Sequence, residues 1–243
     1  LRGTPAPVDP LSVRRRFASR LAGEGIEIGP GHVPFPVPPG VTVRFVDRWT
    51  PADNEALFPE LGGSPGFPSP HYVANLDTER LSGFGDGTQD FVIASHILEH
   101  LANPLALLVD IHRVLRSKGV LILLLPDRHS TFDRERDPTP LTHVVAEYRS
   151  DVREVDDAHI IDQLVGAHRA NGGTFDPGSL TPEQLELHRH RSVHAHVWDI
   201  HEFTEVLEFA SKELDVDWEV LDEMLPGQEG TYGEEFGWVL ARS

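Results

Sequence analysis

Two stretches of the 243-residue chain are dense in side chains that move protons or bind metals. The first is PDRHSTFDRERDPTPLTH, residues 126–143, with Asp127, His129, Asp133, Asp137 and His143. The second is HRHRSVHAHVWD, residues 188–199, with His188, His190, His194, His196 and Asp199. An imidazole beside a carboxylate can take a proton from a hydroxyl near neutral pH. If 193–197 is extended, His194 and His196 point the same way. With a carboxylate such as Asp133 or Asp157, that pair would also suit a divalent ion, since imidazole takes transition metals and carboxylate takes magnesium or manganese. Asp127, His129, His143 and His194 are the candidate catalytic residues. No residue is assigned to a metal, and a divalent ion stays open.

A different chemistry starts at EGIEIGPGH, residues 24–32. An apolar run with Glu27 ends in Gly29-Pro30-Gly31, and the next apolar run, VRFVDRW, ends at Asp47. A glycine turn after one strand and a carboxylate at the tip of the next hold an adenosine-containing cofactor on an α/β sheet. Nicotinamide cofactors need a third glycine that seats a helix on the strand. Counting from Gly29, that position is Pro34. Pro34, Pro36, Pro38 and Pro39 also rule out the helix that normally follows such a turn.

These residues need a frame. Val13, Phe17 and Leu21 recur at helical spacing within 11–22, after a proline-bearing arm over 1–10. Strands are expected at 25–28, 41–46, 72–76, 91–94 and 120–125. A short helix is expected over 52–57, and a longer one starts at Asn103-Pro104, with Gly119 past its end. Helix and strand alternate, so the sheet is parallel, with ligands at the strands' carboxyl ends. Residues 127–200 break the alternation and read as a helical lid, including a helix over 159–170. An amphipathic helix over 199–214 and two edge strands, 218–221 and 236–240, follow.

The set IEIGPGH (26–32), VDRW (46–49), ANLDTERL (74–81), DFVIASHILEH (90–100) and HRVLRSKGVLILLLPD (112–127) resembles the class I S-adenosylmethionine-dependent methyltransferases of the type 11-like domain. The resemblance spans roughly residues 20–130 and implies a Rossmann-like α/β fold. That fold has a seven-stranded, mostly parallel sheet, here with a helical insertion after the fifth strand. It also implies one domain over 1–243, with a cofactor-binding core at 11–126, a lid at 127–200 and a C-terminal helix and edge strands at 201–243. By the same resemblance Glu27, Gly29 and Gly31 line the methionine part of S-adenosylmethionine, and Asp47 binds the ribose. Leu76 and Asp77 face the adenine, and Ser95 and His96 sit beside the reaction centre. S-adenosylhomocysteine would be the product. The departure is the proline run after Gly31.

Composition narrows the acceptor. The formal charge is −18, with Lys118 and Lys212 the only lysines, a field that repels nucleic acid and anionic membranes. No apolar run approaches a membrane span, and the start shows no signal-peptide pattern. Cysteine is absent, which excludes disulfides, cysteine-ligated zinc and thiol catalysis and agrees with a cytoplasmic location. The expectation is O-methylation of a sugar, glycan or small-metabolite hydroxyl by a monomer or homodimer. A non-catalytic cofactor-binding module and a protein methyltransferase are the alternatives.

Overall fold

The structure, a computed structural model, describes residues 9–61 and 66–243. The arm expected over 1–10 lies almost wholly outside them. The sheet has seven strands: β1 Glu24–Ile28, β2 Thr42–Asp47, β3 Tyr72–Val73, β4 Gln89–Ser95, β5 Leu115–Pro126, β6 Trp218–Met224 and β7 Glu235–Arg242. Their order is β3-β2-β1-β4-β5-β7-β6, and β7 is antiparallel to both of its neighbours. This order is that of the class I methyltransferase fold expected from the motifs. The chain reverses direction across the sheet between β1 and β4, the switch point where such sheets bind ligands.

Strand alternation sorts the core into two faces. Val92 and Ala94 of β4, with Leu121, Leu123 and Leu125 of β5, pack beneath α3 (Pro104–Val114) and α7 (Ile200–Leu214). Phe91, Ile93, Ile122 and Leu124 pack against Val13, Phe17 and Leu21 of the N-terminal region, where α1 runs Ser12–Ala18. Phe35, Val37 and Val41 join that second face. The proline segment between β1 and β2 therefore covers, in extended form, a surface that a helix would otherwise cover. It is pinned by the Phe35 N–H, which donates to Glu27 Oε1 at 2.8 Å.

Two local expectations are corrected. The helix begun at Asn103 stops at Val114, and β5 starts at once, so Gly119 lies inside a strand. The third strand is only Tyr72–Val73, because Ala74 already donates back to the Asp47 carbonyl and a turn follows. The helix expected over 52–57 is α2, Pro51–Leu57, held by a capping box between Thr50 and Asp53.

The insertion is a closed excursion. Asp127 and Trp198 form a parallel bridge, and the Arg128 N–H donates to the Trp198 carbonyl at 3.0 Å, so the chain leaves and re-enters at the tip of β5. Between them lie α4 (Leu141–Arg149), α5 (Asp157–Ala170) and α6 (Pro182–His190). Their own apolar cluster is small: Ala102, Val155, Ile160, Val193 and Ala195. Val144 and Val145 of α4 pack instead on the main core, and charge adds to this. Arg136, side chain 1% exposed, reaches Asp133 and Asp162 at 2.7 Å each and the carbonyls of His194 and Ala195. Gly166 makes room for it in the middle of α5, where a Cβ would come within 2.2 Å of Arg136 Cγ.

Candidate active site

A cavity of about 610 Å³ opens over the carboxyl ends of β1, β2 and β4. Gly29, Gly31, Asp47, Leu76, Asp77 and His96 all line it, so six of the eight residues proposed for the cofactor share one wall. Gly29 and Gly31 have φ of +57° and +56°, a region that favours glycine. Among the described residues, and leaving out its chain neighbours, a Cβ on Gly31 would meet no atom within 4 Å, so the backbone there is bare to the cavity. Asp47 Oδ1 accepts from the Trp49 N–H at 3.0 Å, and Asp77 Oδ1 from the Ala102 N–H at 2.8 Å. Burial raises both carboxyls above their ordinary range against these hydrogen bonds. A diol or amine donor would offset that burial.

Glu27 and Ser95 stand apart from this lining. Alternation along β1 turns Glu27 to the α1 and proline face, where burial pushes its carboxyl up to about 7 against the Phe35 hydrogen bond and the Arg14 charge. Its place is under the loop that carries the glycines, not in the cavity. Ser95 ends β4, and the next residue turns into the cavity.

That residue, His96, has φ +56°, a costly conformation for a non-glycine residue and a common one at functional turns. Its Nε2 is 2.9 Å from Glu235 Oε2, and its Nδ1 is 3.6 Å from Glu99 Oε1. Burial alone would lower its pKa. The hydrogen bond to Glu235 and the charges of Glu99 and Glu235 outweigh burial, so the pKa is raised. Arg14 holds both Glu235 oxygens, tying α1 to the site.

His100 is absent from the residues singled out by sequence. It lines the cavity, and its Nδ1 lies 3.0 Å from the Val193 carbonyl. Donation there leaves Nε2 as the lone-pair nitrogen, and burial keeps the ring's pKa low. Glu99, fully buried with neither oxygen hydrogen-bonded, sits 3.7 Å from that Nε2. Behind His100, ring centroids 4.9 Å away, stands His194, whose Nδ1 is 2.6 Å from Asp133 Oδ2. The Leu98-Glu99-His100 turn was the available signal: a carboxylate and an imidazole four and five residues past the strand.

The other proposed catalytic residues are scattered. Asp127 is buried and accepts from the Ser130 hydroxyl at 2.7 Å. His129 is exposed, 3.4 Å from Asp199. His143 points into a separate cluster with Glu147, His159 and His196. His194 and His196 therefore do not act as a pair: each belongs to a different cluster.

The insertion supplies the cavity's far side. Arg153, Glu154, Val155, Glu186, Arg189, Arg191, Ser192 and Val193 line it, opposite Trp49, Phe58 and Phe67. It is fastened across the opening by Trp49 Nε1 donating to the His190 carbonyl at 3.3 Å and by an ion pair between Arg191 and Glu60.

A family model described as a methyltransferase domain matches residues 57–123. No protein of curated function matches the sequence. Among solved structures, a protein from Rhodobacter sphaeroides assigned to the zinc-dependent alcohol dehydrogenases superposes with a TM-score of 0.53 at 12% identity, over 95% of this chain and 89% of that one. A SAM-dependent methyltransferase from Aquifex aeolicus gives 0.46 at 15% identity, over 97% and 90%. The CurJ carbon methyltransferase gives 0.45 at 13% identity, over 93% of this chain but only 50% of its own, so the chain spans half of that relative. At 12% identity the superposition on the first of these is a likeness of fold alone. The matched family model and the strand order agree: residues 57–123 match a methyltransferase domain, within a sheet whose order is that of the class I methyltransferase fold.

Proposed function

We propose that the cavity binds S-adenosylmethionine against Gly29, Gly31, Asp47, Leu76, Asp77 and His96, and that the chain methylates a hydroxyl of a neutral sugar, glycan or small metabolite. The observation that carries this reading is the shared wall: the glycine turn, Asp47 at the end of β2 and Asp77 in the turn after β3 face one cavity with His100. Bare backbone at Gly31 fits a ligand that must lie close to the main chain. The cofactor supplies a methyl group made electrophilic by its sulfonium. What remains for the protein is alignment of the acceptor and removal of one proton.

His100 is our candidate for that proton. Its Nδ1 is committed to the Val193 carbonyl, and its low pKa keeps Nε2 unprotonated at neutral pH. Asp133 and His194 stand behind it and fix its position. A neutral acceptor follows from the charges opposite. Arg189 is paired with Glu154, Asp157 and Glu186, Arg191 with Glu60, and Arg153 with Asp151, so these three arginines are engaged and not free to hold an anionic acceptor. Trp49 and Phe58 offer flat faces to a ring.

The test is transfer of labelled methyl from S-adenosylmethionine to a panel of sugars and phenols, with product mass. Ether formation on a sugar is expected. His100→Ala should lower turnover by about 10²–10⁴-fold with S-adenosylhomocysteine affinity kept. Turnover only on carbon, nitrogen or protein acceptors would replace the hydroxyl reading.

A further inference from the structure

The insertion contains a second constellation, distinct from the cavity. His143 and Glu147 lie one turn apart on α4, His159 opens α5, and His196 lies on the returning extended segment. Their ligand atoms all fall within 4.8 Å of one another. His143 Nε2 is 3.0 Å from His159 Nε2 and 3.1 Å from Glu147 Oε1. His159 Nε2 lies 3.4 Å from Glu147 Oε1, and His196 Nε2 lies 3.4 Å from Glu147 Oε2. A tetrahedral zinc with bonds near 2.0–2.2 Å sets its ligands about 3.3 Å apart. We propose that His143, Glu147, His159 and His196 form a structural site for a divalent transition metal of the zinc class, which staples α4, α5 and the 193–198 segment together.

Hydrogen bonding alone leaves this cluster unsatisfied. His196 is fully buried, and its Nε2 and the facing Glu147 Oε2 have no hydrogen-bond partner among the described residues. Three imidazole nitrogens converge where each would need a proton from its neighbour. His159 is prepared for a metal: its Nδ1 is 2.8 Å from Asp156 Oδ1, and donation there aims the Nε2 lone pair at the centre. That carboxylate behind a ligating histidine sets tautomer and ring orientation. Asp156 is itself fixed as the N-cap of α5, accepting the His159 N–H at 3.0 Å. The nearby positive charge of Arg136 is engaged by Asp133 and Asp162.

The donors decide the class of ion. Three imidazoles suit zinc, cobalt, nickel or iron, whereas magnesium and calcium favour oxygen shells. Four protein ligands close the coordination shell, as in structural sites. The need is visible in the packing, since α5 buries only Ile160, Gly166 and Ala170. The site also orders the segment that carries His194 and Val193 to the cavity. It does not depend on methyl transfer.

The experiment is metal analysis of the purified chain, made without a polyhistidine tag. About one equivalent of zinc is expected. Chelation should lower the melting temperature by about 5 °C or more, with recovery on adding zinc. Cobalt in place of zinc should give the visible absorption of a tetrahedral centre. His159→Ala and Glu147→Gln should lose the metal, and His194→Ala should keep it. If those variants fail to fold, the cobalt spectrum and zinc recovery of the unaltered chain decide. Less than about a tenth of an equivalent, with no cobalt band and no thermal shift on adding zinc, would overturn the proposal.

Discussion

The wall of the cavity built by the sheet and the wall built by the insertion are made in opposite ways. On the sheet side β1, β4 and β5 are apolar and largely buried, and function enters through the glycine turn, with bare backbone at Gly31, and through the carboxylates of Asp47 and Asp77. On the insertion side the separate apolar cluster is small, with α4 reaching the main core through Val144 and Val145, and polar groups join the helices: Arg136 between Asp133 and Asp162, and three histidines gathered around Glu147. A hydrophobic frame tolerates exchange among its apolar members, whereas a buried ionic frame fails when one partner goes.

The largest expected effect follows from that contrast. Arg136→Ala leaves the buried Asp133 with His194 as its remaining charged partner and should cost about 3–5 kcal/mol in urea unfolding, with His194 displaced. A loss near 1 kcal/mol would mean that apolar packing holds the insertion after all.

Next comes the joint between the two sides of the sheet. Burial would raise the Glu235 carboxyl, but the hydrogen bonds and charges of His96 and Arg14 outweigh burial and hold it at about 2. A depressed folded-state pKa stabilises above the unfolded value near 4.5 and is lost as pH falls toward 2. The difference is worth roughly 3 kcal/mol across that window. Glu235→Gln should flatten stability against pH between 4.5 and 2 and lower stability at pH 7. A slope identical to that of the unaltered chain would remove this ion pair from the account.

The smallest effect belongs to the sheet side. Asp47→Ala should weaken S-adenosylhomocysteine binding by about 1–3 kcal/mol, with the melting temperature nearly unchanged. An equal loss of stability would make Asp47 a scaffold residue like Arg136.

The same contrast explains what the sequence revealed. The sheet was legible because its signals are local: Gly29-Pro30-Gly31, Asp47 at a strand end, the Asn103-Pro104 cap and the run Val120–Leu125. The strand order could be expected because those motifs have a fixed sequence. The proline run after Gly31 was legible as the absence of a helix, though not that Phe35 would fill the space on the sheet. The insertion was legible only in composition. His194 and His196 are two apart on an extended segment, which suggests one face, yet the fold sends them to separate clusters whose other members come from residues 99–100 and 143–159. Long-range partnerships of this kind leave no local period. His100 was missed for the converse reason, since its local setting beside a helix start gave no hint that Val193 would return to hold it.

The most direct test of the central claim is titration calorimetry with S-adenosylhomocysteine. The account predicts one site per chain with a dissociation constant in the low-micromolar range, about −8 kcal/mol. No heat with either S-adenosylhomocysteine or S-adenosylmethionine, from a chain shown to be folded, would contradict it.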